Sequence, residues 1–153
     1  IEAMKSLITA ETACVYTEQP NYYGVIEDVT AIADAAHALK VKVITGVNPT
    51  AMALLKTPGE CGSDIAVGEG QSLGLDLSYG GPYCGFMAAR KEMMRKLPGR
   101  IVGETADRHG KRCFVLTLQA REQHIRREKA SSSICSNQAL CAFRNSVYLA
   151  SLG

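Results

Sequence analysis

Apolar residues recur along this chain with two different periods, and the switching between them predicts an α/β fold. Residues 13–17 form a short apolar run that reads as a buried strand. It ends at Gln19-Pro20-Asn21, where Pro20 has no N–H to donate and Asn21 suits a turn. The period then changes. Val29, Ile32, Ala33, Ala36 and Leu39 return at helical spacing, which predicts a helix from Glu27 or Asp28 to near Lys40. Residues 41–45 read as a second strand, stopped by Gly46. Strand, helix and strand make a βαβ unit, so the two strands are expected to be parallel neighbours.

The same reading continues with a short helix over residues 51–55, broken by Pro58-Gly59, then strands over 65–67 and 86–89. A basic helical stretch over 90–97 is closed by Pro98-Gly99, and residues 113–118 alternate as a fifth strand. Residues 137–152 read as a helix with Leu140, Phe143 and Val147 on one face. The pattern shows no internal repeat and no linker-like tract.

Composition narrows the picture. A chain of 153 residues with 46% hydrophobic and 21% charged residues is long enough and apolar enough to fold around a core. A net charge of +2 is too small to point to nucleic acid or an anionic membrane as the main partner. The chain has no apolar run of bilayer-spanning length and no signal-peptide pattern at its start, so a cytoplasmic protein is expected. It begins at Ile1 and ends Ser151-Leu152-Gly153, and is expected to be a piece of a longer polypeptide. The six cysteines form no C-x-x-C pair, and Cys14 and Cys113 fall inside apolar runs. Reduced core thiols are expected, rather than disulfides or a zinc site, and His37, His109 and His124 are too scattered to add a metal.

Three places carry candidate chemistry. Asn21-Tyr22-Tyr23-Gly24 lies just past the carboxyl end of a strand, where open α/β sheets place ligands. One tyrosine there can reach a site while the other packs, or the segment is a turn with one core tyrosine. Residues 121–138 begin dense in charge, with Arg121, His124, Arg126, Arg127 and Lys129, and continue into Ser131, Ser132, Ser133 and Ser136 ahead of a helix. That pattern suits an anion or subunit-interface loop, although a hydrated charged surface reads the same way. Gly68, Gly70 and Gly74 have the wrong spacing for a dinucleotide loop and read instead as glycines for tight turns, as do Gly80 and Gly81.

Residues 19–28, residues 62–74 running on to 80–85, and residues 97–105 together with 121–138 closely resemble the glycine-cleavage P-protein family. The likeness is to the N-terminal (alpha) subunit of the pyridoxal-phosphate-dependent glycine dehydrogenase (decarboxylating), and it covers nearly the whole chain. It implies part of the large domain of a fold-type-I pyridoxal-phosphate-dependent transferase, a three-layer α/β/α sandwich with a mostly parallel sheet. Residues 1–136 would then belong to the large domain, and 137–153 to a helix leading into a small C-terminal domain.

The resemblance also implies which residues carry chemistry. In the family's catalytic subunit a lysine forms the Schiff base, and an acidic residue keeps the pyridine nitrogen protonated so that the ring acts as an electron sink. Matched on the flanking segments, Gln71 stands at the lysine's place and Gly46 at the acid's. The chain is therefore expected to be a non-catalytic subunit with no covalently bound cofactor, paired with a beta subunit that holds pyridoxal phosphate. Ser132, Ser133 and Ser136 would reach the partner's phosphate. Asn21, Tyr22, Tyr23, Arg121, His124, Arg126, Arg127 and Lys129 would form the interface or a channel for the lipoyl arm of H-protein. The family's asparagine is replaced by Ser133 and its threonines by Ser131 and Ser136, so an amide-specific contact is lost while hydroxyls are kept. A non-enzymatic domain that binds a protein or anion through the basic loop accommodates the same substitutions, and an isolated fragment could dimerise through an exposed sheet edge.

Overall fold

The computed structural model describes residues 1–98, 101–119, 122–130 and 138–152. It divides into two compact units, Ile1–Arg90 with Asn137–Gly153, and Lys91–Ser136.

In the first unit, β1 (Cys14–Gln19), β2 (Lys42–Val47) and β3 (Ile65–Glu69) run parallel, and β4 (Gly85–Ala89) returns antiparallel, giving the order β1-β2-β3-β4. The predicted βαβ unit is present: α2 (Val29–Ala38) joins β1 to β2, and those strands pair in parallel from Cys14↔Lys42 to Gln19↔Val47. The Asp28 carboxylate caps the helix by accepting from the Ala31 N–H at 3.0 Å, satisfying one of the donors left free at a helix start. The helix presents Val29, Ile32, Ala33 and Ala36 to the sheet. Ala36 is completely buried, and such small residues let the helix approach Val15 and Val43 closely. α1 (Glu2–Leu7) precedes β1. The partly buried Met4 packs against the same cluster, together with Ile8 and Val41.

Several expectations need correcting. β2 does not stop at Gly46 but runs through it to Val47, because Gly46 still pairs with both Glu18 and Val67. The short segments predicted over 51–55 and 90–97 are 3-10 turns, Pro49–Ala53 and Lys91–Lys96. Cys14 is exposed rather than buried, because in β1 the inward positions are Val15, Thr17 and Gln19. The predicted last helix is present as α4 (Ala139–Leu152), with Leu140, Phe143 and Val147 on one exposed face and Asn145 buried.

The second unit contains β5 (Ile101–Ala106) and β6 (Arg112–Thr117), an antiparallel pair in register from Ile101↔Thr117 to Ala106↔Arg112. The predicted fifth strand is β6, but its neighbour β5 was not apparent from the hydrophobic pattern, since Gly103 and Glu104 interrupt the alternation. Arg112 pairs with Glu104 at 2.8 Å and lies over the Phe114 ring at 4.9 Å. A short helix, α3 (Gln123–Arg126), and a 3-10 turn, Arg127–Lys129, follow.

Candidate functional site

The carboxyl ends of β1, β2 and β3 converge on a cavity of about 390 Å³ lined by Tyr16, Glu18, Gly46, Val47, Asn48, Val67, Gly68, Glu69, Gln71 and Ser72. Strand register explains the grouping. Tyr16, Glu18 and Gly46 stand on one face of the sheet because Glu18 is the partner of Gly46, and Gly46 is in turn the partner of Val67. Gly46 and Gln71, the two positions singled out in the sequence, thus line one cavity.

As Tyr16 lies, its hydroxyl oxygen occupies the place of a Cβ on residue 46, so a side chain there would have to displace the ring. Burial, and then the Glu18 carboxylate, push the Tyr16 phenol above its ordinary pKa, so it remains a neutral hydroxyl. Gln71 is also committed: its Nε2 donates to the carbonyl oxygens of Asp76 at 3.2 Å and Gly80 at 3.1 Å. Glu69 Oε1 accepts from the backbone N–H groups of Gln71 and Cys84, closing the base of the 70–84 loop. The Cys84 thiol is pushed up by burial, by the Glu69 carboxylate and by Cys141. Among the described residues, the charged groups in the lining are therefore two carboxylates, Glu18 and Glu69, with no lysine or arginine beside them.

The loop's other side rests on α4. Asn145 Nδ2 donates to the carbonyl oxygens of Gly70 at 2.7 Å and Leu73 at 2.6 Å, and Arg144 donates to that of Gly74 at 3.1 Å. Gly70 and Gly74 are required by this approach. A Cβ at Gly70 would stand 2.8 Å from Asn145 Oδ1, and one at Gly74, where φ is +87°, would stand 2.7 Å from the Tyr148 ring. Sequence reasoning missed Asn145; its signal is a lone carboxamide facing away from the Leu140, Phe143 and Val147 side of a helix. Tyr16 and Glu18 were missed too, and their two-residue spacing on β1 was the available clue.

The remaining candidates lie elsewhere. Asn21 organises its own loop, with Oδ1 accepting from the N–H groups of Tyr23 and Val25 and Nδ2 donating to Glu27 at 2.8 Å. Neither tyrosine packs in the core: both are almost fully exposed and meet edge to face at 5.3 Å. None of Asn21, Tyr22 and Tyr23 lines the cavity. His124, Arg126, Arg127 and Lys129 are exposed on α3 and the following turn of the second unit. Arg121, Ser131, Ser132, Ser133 and Ser136 lie outside the described residues. A smaller cavity beside the site is lined by Gln19, Val29, Thr45, Val47, Met52, Lys56, Pro58 and Cys61, and Gln19 Oε1 is buried without a hydrogen-bond partner among the described residues.

A model of the glycine cleavage system P-protein matches residues 1–153. The chain belongs to that family. It is 59% identical to the probable glycine dehydrogenase (decarboxylating) subunit 1 of Desulforamulus reducens, over 94% of this chain and 32% of that protein. It is 55% identical to the protein so named in Moorella thermoacetica, over 100% of this chain and 34% of that one. It superposes with a TM-score of 0.88 and 48% identity on a crystal structure of glycine decarboxylase (P-protein) in inhibitor-bound form, covering 95% of this chain and 33% of that one. A cystathionine gamma-lyase from Lactobacillus plantarum matches 62% of the chain with a TM-score of 0.52 and 26% identity. The architecture is part of the large domain of a fold-type-I transferase, and the chain spans about a third of the length of its P-protein relatives. No helix among the described residues is long and apolar enough to cross a membrane.

Proposed function

We propose that this chain is part of the non-catalytic alpha subunit of a cytoplasmic glycine decarboxylase. A separate beta subunit holds pyridoxal phosphate, and the assembly decarboxylates glycine and passes the aminomethyl group to the lipoyl arm of H-protein. One observation carries this reading: the cavity formed by Gly46 and Gln71 does not fit pyridoxal phosphate. Gln71 has no amine to bond to the cofactor's aldehyde, and its amide is engaged with two carbonyls. Residue 46 is a glycine and brings no carboxylate, and the Tyr16 hydroxyl lies where its Cβ would be. Among the described residues, the charged groups that an anionic phosphate would meet in the lining are the carboxylates of Glu18 and Glu69. The naming of the relatives as subunit 1 further supports a two-subunit assembly.

On this reading the chain's residues shape a surface rather than break bonds. Asn21, Tyr22, Tyr23, Arg121, His124, Arg126, Arg127 and Lys129 contribute to the interface or the lipoyl channel. Ser132, Ser133 and Ser136 offer hydroxyls to the partner's phosphate. Residues 137–153 lead toward a further domain.

The test uses the native polypeptide. Incubation with pyridoxal phosphate and borohydride is expected to leave no stoichiometric adduct on it alone, and a single labelled lysine would overturn the assignment of Gln71. Mixing with the lysine-bearing subunit is expected to produce glycine-dependent bicarbonate exchange that neither component shows alone. Failure of the two to associate under any condition sinks the reading.

A further inference from the structure

We propose that Cys84 and Cys141 are a reversible redox pair: a low-molecular-weight disulfide converts them to an internal disulfide that fastens α4 to the loop walling the cavity. The pairing stands independently of the function proposed above.

The stripe that α4 turns inward is narrow. Among its residues only Cys141 and Asn145 are not exposed, Cys141 being half-buried and Asn145 buried. They are four apart, about one turn along one face of the helix. Helical side chains lean toward the helix N-terminus, so the Asn145 carboxamide reaches back over the turn that holds Cys141. It meets Gly70, and Cys84 meets the same residue. The Gly70 N–H donates to the Cys84 carbonyl oxygen at 2.9 Å, while the Gly70 carbonyl accepts from Asn145 Nδ2 at 2.7 Å. A Cβ on Gly70 would stand 2.8 Å from Asn145 Oδ1 and 3.1 Å from the Cys84 carbonyl oxygen. The carboxamide and the Cys84 backbone therefore crowd one spot, beside the turn of α4 that carries Cys141. The thiols also act on each other: Cys141 joins burial and the Glu69 carboxylate in pushing the Cys84 thiol up.

Both cysteines are free and half-buried. No group of three or more histidine, cysteine or acidic side chains among the described residues is placed to hold a metal ion, so chelation does not account for the pair. Thiol–disulfide exchange does. One cysteine, as its thiolate, attacks a sulfur of the small disulfide, which expels one small thiolate and leaves a mixed disulfide. The other cysteine, as its thiolate, attacks the protein sulfur of that bond, closing the Cys84–Cys141 disulfide and expelling the second small thiolate. Two protein thiols are oxidised, and the small disulfide is reduced to two thiols that take up the two protons. The product adds a covalent tie to the hydrogen bonds by which Asn145 and Arg144 already hold the loop. Gln71 and Ser72 belong to that loop and line the cavity, so oxidation fixes one of its walls.

The experiment uses the full-length native polypeptide. It is incubated with glutathione disulfide, its remaining thiols are alkylated, and its peptides are mapped without reduction. The expected result is one dominant crosslink joining Cys84 to Cys141, reversed by dithiothreitol. Hydrogen exchange over residues 139–146 is expected to slow at least about tenfold on oxidation. Cys84→Ser and Cys141→Ser should each abolish the crosslink and the slowing, whereas Cys14→Ser should leave both intact. Recovery of Cys84 and Cys141 as separate alkylated peptides overturns the pairing, and so does a dominant link from either to another cysteine. A crosslink that forms as readily in urea as in the native protein overturns it too. Unchanged exchange in α4 despite a completed crosslink overturns the fastening.

Discussion

The two edges of the four-stranded sheet formed by its strand ends, where the parallel strands begin and where they finish, are built differently. Where β2 and β3 begin, polar groups are paired. Asp64 is buried, and its carboxylate accepts from His37 Nε2, Lys42 Nζ and the Val43 N–H, each at 2.9 Å. Burial works against its charged form, but the hydrogen bonds from His37, Val43 and Lys42 prevail and lower its pKa to about 2 from an ordinary 3.8. Beside it, Thr45 and Ser63 share a buried hydrogen bond of 2.7 Å, and Arg90 donates to the Gly62 and Ser63 carbonyls. Where the parallel strands end, the chain instead holds left-handed residues, a Gln19 oxygen with no hydrogen-bond partner among the described residues, two carboxylates around a cavity, and exposed tyrosines. The first edge anchors α2 to the sheet. The second gives up local stability for a shaped surface, which is where open α/β sheets keep their sites.

Substitutions at each edge can break or sharpen this contrast. The largest effect is expected for Asp64→Ala, which leaves His37, Lys42 and the Val43 N–H without their acceptor; chemical denaturation should show a loss of about 3 kcal/mol. A loss under about 1 kcal/mol would mean that this edge is not the anchor. Acid should act through the same carboxylate. Its folded-state pKa lies below that of the unfolded chain, so its contribution is complete above about pH 4 and disappears as the pH falls toward 2. The difference amounts to roughly 2 kcal/mol, and Asp64→Asn should remove that part of the pH dependence. Gly74→Ala at the other edge is expected to cost about 1–2 kcal/mol, since it combines a positive φ with a collision against Tyr148. Hydrogen exchange should then accelerate in α4 rather than in α2. Tyr22→Ala should change stability by less than about 0.5 kcal/mol, because the ring is 90% exposed. A larger loss would show that the tyrosine pair supports the fold itself.

The local pattern revealed much of the fold. The apolar spacing placed β1, α2 and β2, and the Asp28 cap and the parallel pairing followed, because each depends on residues close in sequence or on a short crossover. β5 was not legible, since a strand broken by Gly103 has little alternation of its own and is defined by pairing with β6. The exposure of one face of α4 was not legible for a related reason. Helical spacing shows that Leu140, Phe143 and Val147 share a side, but only packing decides whether that side is the covered one.

The sequence by itself determined the βαβ core and the family, and it singled out Gly46 and Gln71 for attention. Tertiary structure decided what those residues do. It set Gly46 under Tyr16 across a strand pair, and it bound Gln71 to a loop that turns back on itself. It also joined Asn145 to Gly70 from 75 residues away and His37 to Asp64 from 27. Periodicity reports which face a residue occupies, whereas the hydrogen-bond partner of a buried polar group depends on which distant segment the fold brings within about 3 Å.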